Sequence, residues 1–304
     1  MVFIQRHRAH LLMLLATTLV ATSFPVGAAI TGGLDSLVLT FLRFTLAALL
    51  FAPLVAWRWG LPWPGWRALG RYGLLSAFLV AFFWGMFAAL RETSALNTAT
   101  LYTLTPAVTA GVSALLLGER LTPAQRIALP VGMAGAVWVI FRGDLGALAA
   151  LSLGRGDLIF LGATLAMGTY GALVKALHRG EPMARMTFWT LATGAGWLLL
   201  LAAPRLGGVD WAAVPGAVFG GIAYLAVFTT LITFFLFQAC AALIGPTRVV
   251  AYGYLNPVLV LAIGLALGDA PPPLLVYPGL VLILVAVVVL QRPGGGTKAL
   301  ASAA

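Results

Sequence analysis

The chain has 304 residues, 62% of them hydrophobic and only 9% charged, with a formal net charge of +10. Soluble globular domains carry about a quarter charged residues, so an ordinary soluble fold is excluded. The basic excess does not indicate a nucleic-acid partner, because it sits on alternate connections between apolar blocks.

A helix needs about 20 mostly apolar residues to cross the hydrocarbon core of a bilayer. On that measure the sequence predicts ten spans: 11–31, 35–57, 72–91, 96–117, 124–141, 158–178, 183–203, 213–238, 246–267 and 274–290. The blocks are continuous, rich in Leu, Ala, Val and Gly, and lack the alternation of an outer-membrane barrel. Lipid permits only internally hydrogen-bonded backbones, so the blocks are helices. The first follows Arg6, His7 and Arg8. It is longer than a signal-peptide core and has no small-residue cleavage site before Asp35, so it reads as a retained span. Connections are short and leave no space for a soluble domain between spans.

Arg58, Arg67, Arg71, Arg120, Arg126, Lys175, Arg179, Arg185 and Arg248 fall with both chain ends on one side of this topology. Asp35, Glu92, Asp144, Asp157, Asp210 and Asp269 fall on the other, with only Arg91, Arg142, Arg155 and Arg205. The asymmetry predicts a bacterial-type inner (plasma) membrane protein with both termini cytoplasmic.

The second half repeats the first. Leu117-Gly118-Glu119 matches Leu267-Gly268-Asp269, Pro106 matches Pro257, Tyr102 matches Tyr252, and Arg142 matches Arg292. Thr18-Leu19 matches Thr164-Leu165, Ser23-Phe24 matches Thr169-Tyr170, and Pro25 stands where the second copy has Gly171. Similarity is weakest for spans two and three against seven and eight. The reading is a first repeat over 1–142, a connection over 143–156, a second repeat over 157–292 and a disordered tail over 293–304. Repeats of five spans must lie upside down relative to each other, an arrangement that supports two mirror-related access states around one site. The fold class expected is therefore an all-α membrane protein of ten transmembrane helices in two inverted five-helix repeats.

Further residues extend the pattern: Phe41-x-Arg43 in span two, Thr93-Ser94-Ala95 before span four, and Arg120-Leu121-Thr122 after Glu119. In the second half stand Gly245-Pro246-Thr247-Arg248 and Tyr254-Leu255-Asn256-Pro257. On these residues the chain resembles the drug/metabolite transporter superfamily, and within it the ten-span transporters of two tandem EamA-type repeats. The resemblance covers nearly the whole chain. Two departures are Asp269, where the family usually has Glu, and Pro271-Pro272-Pro273 in place of a more ordinary helix start. Within the superfamily the chain is similar to bacterial amino acid exporters, including those handling aromatic amino acids. That narrower likeness rests on repeat layout and an aromatic-rich interior.

Candidate substrate-binding residues line both halves. Thr98, Tyr102, Thr105 and Thr109 recur at helical spacing in span four, and Arg248, Tyr252 and Asn256 do so in span nine. Such hydroxyls and amides either hold a zwitterion in a central cavity or join helices to each other. Trp84, Phe87 and Arg91 are expected on one face of span three. Tyr170, Trp189, Tyr224 and Phe228 are further aromatic candidates for stacking on a ring or a cation, with Ser23 in span one. Trp57, Trp59, Trp63 and Trp66 read as interfacial anchors. Pro25, Pro106 and Pro257 are candidate hinges, the alternative being static kinks. Arg43 lies within an apolar span, where it either holds a substrate carboxylate or braces neighbouring helices. Glu119 is expected to pair with basic groups at the cytoplasmic face, and Lys175 to snorkel.

Cys240, the one cysteine, reads as a small apolar packing residue, and no metal or cofactor is expected. No carboxylate lies in the middle of a span. This motivates transport without tight proton coupling and counts against an intramembrane protease, which needs a nucleophile with a base or paired aspartates. The function expected is export of small organic metabolites, most of all amino acids, by alternating access. Efflux of lipophilic cations or drugs is the alternative within transport, and a non-transporting sensor or assembly protein the alternative outside it. The expected partners are a small-molecule substrate and the lipid bilayer.

Overall fold

The computed structural model describes residues 2–149, 153–244, 249 and 251–291. Arg248, Arg292 and the tail expected over 293–304 lie outside them. Among the described residues there is no strand. Eight helices are long and apolar enough to cross a membrane, and two shorter apolar helices, Tyr252–Ala266 and Leu274–Leu290, complete ten spans in two inverted repeats of five.

The first repeat comprises α1 (Val2–Ile30), α2 (Ser36–Trp59), α3 (Trp66–Ala89), a fourth span in two pieces, α4 (Ala95–Tyr102) and α5 (Thr105–Leu117), and α6 (Pro123–Ile140). A short α7 (Leu145–Ala149) falls in the connection. The second comprises α8 (Arg155–Leu177), α9 (Met183–Leu206), and an eighth span of α10 (Gly216–Ala226), a π-helical stretch Val227–Ile232 and α11 (Thr233–Ile244). A tight 3₁₀ turn, Tyr252–Leu255, then leads into α12 (Asn256–Ala266), and α13 (Tyr277–Gln291) closes the bundle.

Local chemistry explains the boundaries. Asp35 accepts from the backbone N–H of Leu37, Ser94 from that of Asn97, and Thr122 forms a reciprocal box with Gln125. Each satisfies donors that a helix start leaves free. Gly118 and Gly268 both take positive φ, 67° and 97°. A left-handed residue ending a helix is why glycine stands at this repeated position.

The expected spans need three corrections. Span four is not continuous over 96–117, because the helix breaks at Thr103 and Leu104. Span eight has its apolar stretch at Gly216–Phe237, close to the expected 213–238, but its helix runs on to Ile244 and accommodates an extra residue per turn at Val227–Ile232. The described part of span nine opens with a 3₁₀ turn instead of a uniform helix.

Packing follows the duplication. The α3–α8 pairing has its mate in α1 against α10 and α11, and α5–α8 has its mate in α1–α12. Across the symmetry axis α2 packs on α9 and α6 on α13. At the α6–α13 crossing backbone meets backbone: a Cβ on Gly135 would lie 2.6 Å from the Gly279 carbonyl oxygen, and one on Gly279 2.8 Å from that of Gly135. Small residues permit such contact where no hydrophobic drive exists between helices.

The two ends of the bundle differ. At one, the acidic end, stand Asp35, Glu92, Asp144, Asp157, Asp210 and Asp269. In that half a large apolar core joins α1, α2, α3, α4, α8, α9, α10 and α12, and a second cluster, built on Tyr254, runs along α6 and α13 from Val139 and Val276 at this end to the other. In the other half, the basic end, the core is divided. Ala9, Met13, Cys240 and Ile244 form one group, and Tyr72, Leu75 and Met186 another. The remainder falls to a cluster around Phe51 and one around Tyr254.

Candidate functional site

The two broken spans carry the repeated prolines, each in the first turn of the segment after the break. Proline is tolerated there because its missing N–H has no helical partner to lose. Neither proline kinks a continuous helix, as the sequence suggested. In the second repeat Asn256 Nδ2 donates to the Gly253 carbonyl at 2.7 Å. That carbonyl sits four residues before Pro257 and lacks its helical donor. Asn256 is 1% exposed, and its Oδ1 has no partner. Thr105, at the matching position before Pro106, likewise has a buried Oγ1 without a partner. Pro25, by contrast, lies inside the unbroken α1.

Polar links join the repeats at many points. Thr22 and Tyr224 hydroxyls meet at 2.8 Å, and Tyr224 stacks on Phe228 with centroids 5.1 Å apart. His10 Nδ1 lies 2.8 Å from the Tyr252 hydroxyl. Arg43, only 2% exposed, donates through Nη2 to Thr229 Oγ1 at 3.1 Å and Thr230 Oγ1 at 3.2 Å. Its guanidinium carbon sits 4.1 Å from the Phe83 ring centroid, and its Nη1 has no partner. Both hydroxyls belong to the π-helical stretch and themselves donate to the Leu225 carbonyl.

Aromatic side chains gather near Tyr102. Its ring lies 5.9 Å from Phe24 and 5.7 Å from Phe82, and Phe160 stands 6.3 Å from Phe24 and 6.0 Å from Phe82. Four spans thus contribute one ring each. Trp84 does not join them: it is 42% exposed and shares the outward stripe of α3 with Gly70, Leu74, Ala77 and Ala81. Phe87, one turn on, is fully buried, so it and Trp84 do not meet in one interior site. Arg91 turns away to the Thr31 and Leu34 carbonyls.

The expected hydroxyl stripe of span four also divides. Thr98 bonds within its own helix, Thr109 donates to the Gly168 carbonyl of α8, and only Thr105 is left without a partner. Ser23 donates to Val20 in its own helix. Tyr170 packs with Trp189 beside Tyr72 and Met186 near the basic end, and the Trp189 Nε1–H is buried without an acceptor. Trp57, Trp63 and Trp66 are exposed, as interfacial anchors would be, whereas Trp59 stacks on Phe235.

Two cavities open at opposite ends. One, of about 230 Å³, is lined by Pro106, Thr109, Ser113, Glu119, Arg120 and Lys175 among others. The second, of about 440 Å³, is lined by Pro25, Asn97, Arg142, Val260, Gly264 and Asp269 among others. The duplication relates them: Thr109 corresponds to Val260, Ser113 to Gly264 and Glu119 to Asp269. Glu119 pairs with Lys175, which is therefore an ion-pair partner as well as a long snorkelling side chain. At the same end Glu181 lies 3.7 Å from Arg71 and accepts from the Tyr72 hydroxyl. Burial pushes the Glu181 carboxyl up, but its own and the Arg179 backbone N–H groups, Tyr72 and Arg71 outweigh this and hold it below its ordinary value. Among the described residues no three His, Cys, Asp or Glu side chains stand close enough to hold a metal.

Sequence reasoning missed Thr22, Thr229, Thr230, Phe82 and Phe160. Thr22 lies one residue before the repeated Ser23-Phe24 pair, which was a usable signal. Thr229 and Thr230 sit in the least similar spans, where the alignment gives no guide. It also missed Asp157, a buried carboxylate at the start of α8 that accepts from Thr93 at 2.6 Å and Asn97 at 3.2 Å.

Comparison with known proteins agrees with this architecture. A relative from Bacillus subtilis (strain 168), the uncharacterized transporter YyaM, is 27% identical over 209 residues, 68% of this chain and 67% of that protein. A solved crystal structure superposes with a TM-score of 0.65 at 23% identity, covering 93% of this chain and 96% of the other, and so shares the fold. The EamA-like transporter family matches residues 7–141 and again 154–292, nearly the whole of both repeats, and the chain belongs to that family of membrane transporters.

Proposed function

We propose that the protein exports amino acids, aromatic ones included, across a bacterial inner membrane, with its basic end in the cytoplasm. Arg43 carries the reading. A guanidinium removed from water demands an anion or a full set of acceptors. Its described partners are two neutral hydroxyls and a ring, and Nη1 has none. The α-carboxylate of a substrate passing between α2 and the eighth span would supply the missing anion. The tyrosine, threonine and asparagine groups around the breaks suit an ammonium group and a side chain. Tyr102, Tyr170, Trp189 and Tyr224 suit a ring. The excess of Lys and Arg on alternate connections supports the orientation.

The aromatic walls also favour a second reading, efflux of lipophilic cations. Counterflow into proteoliposomes loaded with phenylalanine, threonine, phenylethylamine or a quaternary ammonium dye separates the two. Amino acid export predicts exchange with phenylalanine and none with phenylethylamine, which lacks only the carboxylate. Exchange with the two cations alone would overturn it.

A further inference from the structure

We infer that Phe24, Phe82, Tyr102 and Phe160 form the gate that closes the acidic end of the translocation path, and that the described conformation opens toward the basic end. The four rings lie five to seven residues from the acidic ends of α1, α3, α4 and α8. At 1.5 Å per residue this sets all four at one depth, about 8–11 Å inside the bundle. Edge-to-face contacts of Phe24 with Tyr102 and Phe160, and tilted contacts of Phe82 with the same two rings, join four spans in an apolar layer.

The duplication supplies an internal control, because Phe24, Tyr102 and Phe160 have mates near the basic end in Tyr170, Tyr252 and Leu14. Phe160 is fully buried, whereas its mate Leu14 is 43% exposed. Thr164, one turn below Phe160, is fully buried, whereas its mate Thr18 is only half-buried. Phe24 touches Tyr102, but their mates part: Tyr170 packs beside Tyr72 and Met186, and Tyr252 goes to His10. Backbone packing agrees. In the acidic half α1 packs on α4, and α4 on α12. One closed layer and one parted layer are what two inverted repeats adopt on either side of a single site.

The inference needs no knowledge of the substrate, so it fails or stands apart from the amino acid reading. In a Cys240→Ala background, Thr18→Cys and Thr164→Cys are made separately and probed with a membrane-impermeant maleimide in inside-out and right-side-out vesicles. Thr18→Cys is expected to react from one face only, and Thr164→Cys to resist from both. Phe24→Ala, or Phe82→Leu where the smaller residue fails to fold, should raise Thr164→Cys labelling from the opposite face by about tenfold, the effect of one lost aromatic pair on an equilibrium. Rapid labelling of Thr164→Cys from that face with all four rings intact would overturn the gate. So would unchanged labelling in both ring variants while Thr18→Cys still reacts normally.

Discussion

Replacing Arg43 by methionine keeps a long stem in the core and deletes the charge. The guanidinium donates two hydrogen bonds, at 3.1 and 3.2 Å, and rests 4.1 Å from the Phe83 centroid. Hydrogen bonds from a charged donor contribute about 1.5–3 kcal/mol each, and a desolvated cation–π contact about 2 kcal/mol. Together that is roughly 5–8 kcal/mol. Against it stand several kcal/mol for taking a charge out of water, and about 1–3 kcal/mol for the unpartnered Nη1. The two sides nearly cancel, so Arg43→Met should shift unfolding by no more than about 2 kcal/mol. Removing the acceptors is different. Thr229→Val with Thr230→Val strips a charge that stays buried and should cost about 2–4 kcal/mol. Adding Arg43→Met to that pair should recover most of the loss, a strong coupling in a double-mutant cycle. The assay is denaturant-induced unfolding of the purified protein in detergent, with counterflow measured in parallel. Arg43→Met is expected to fold normally and lose transport. A loss of more than about 4 kcal/mol in Arg43→Met, or strict additivity with the threonine changes, would refute this balance and make Arg43 a brace.

Gly135→Leu should reduce recovery of folded protein and cost about 3 kcal/mol or more, because the Gly279 backbone it meets cannot give way; Gly111→Leu, with open space around it, is the control, and detergent melting reads both. Pro106→Ala and Pro257→Ala restore a backbone donor and should change stability by about 1 kcal/mol or less, while slowing counterflow if the breaks act as hinges; unchanged rates in both would dismiss the hinges. Glu181 is held below its ordinary value in the folded protein, so its stabilisation is complete above the unfolded value of about 4.3 and fades as pH falls through the lower folded one. Glu181→Gln should therefore cost about 1–2 kcal/mol at pH 7 and flatten the acid limb of melting temperature against pH. The Glu119–Lys175 pair is largely exposed, and Lys175→Met should alter stability by under about 1 kcal/mol in the same melting assay.

Helix number, repeat and family were legible because each is written redundantly in the sequence. A span needs about 20 apolar residues in a row, and substituting any one of them leaves the signal standing. The interior site was much less legible. Its candidates were chosen by spacing on ideal helices, and spacing fails wherever the helix departs from 3.6 residues per turn. The break at Thr103–Leu104 re-aims Thr105 and Thr109 relative to Thr98. The π-helical stretch brings Thr229 and Thr230 together onto Arg43, a pairing no regular helix of that sequence would suggest. Trp84 shows the limit from the other side. In lipid an outward tryptophan and an inward one are equally apolar, so hydrophobicity does not say which way a helix faces.

The same duplication that made the fold legible also sharpens what its divergence means. Where both copies perform one structural task, their residues match: glycine ends the fourth span of each repeat with positive φ. Where the task differs between the two ends, they do not. Phe160 fills the layer at the acidic end, while Leu14, its mate, is smaller. Phe24 is matched by a tyrosine whose hydroxyl needs a partner if buried. The acidic-end layer holds three phenylalanines and Tyr102, whereas its counterpart with Tyr170, Tyr252 and Leu14 buries less apolar surface and adds one more hydroxyl to satisfy. The two closures are therefore unequal in strength, and the weaker one faces the basic end. An unequal pair biases the resting protein toward opening on that side. Export that starts at the basic end, as proposed above, requires that bias. Exchanging residues 14 and 160 (Leu14→Phe with Phe160→Leu) should shift the resting population toward the acidic-side opening, read as Thr18→Cys protected and Thr164→Cys exposed. If the labelling pattern survives the exchange, ring size at these two positions does not set the bias.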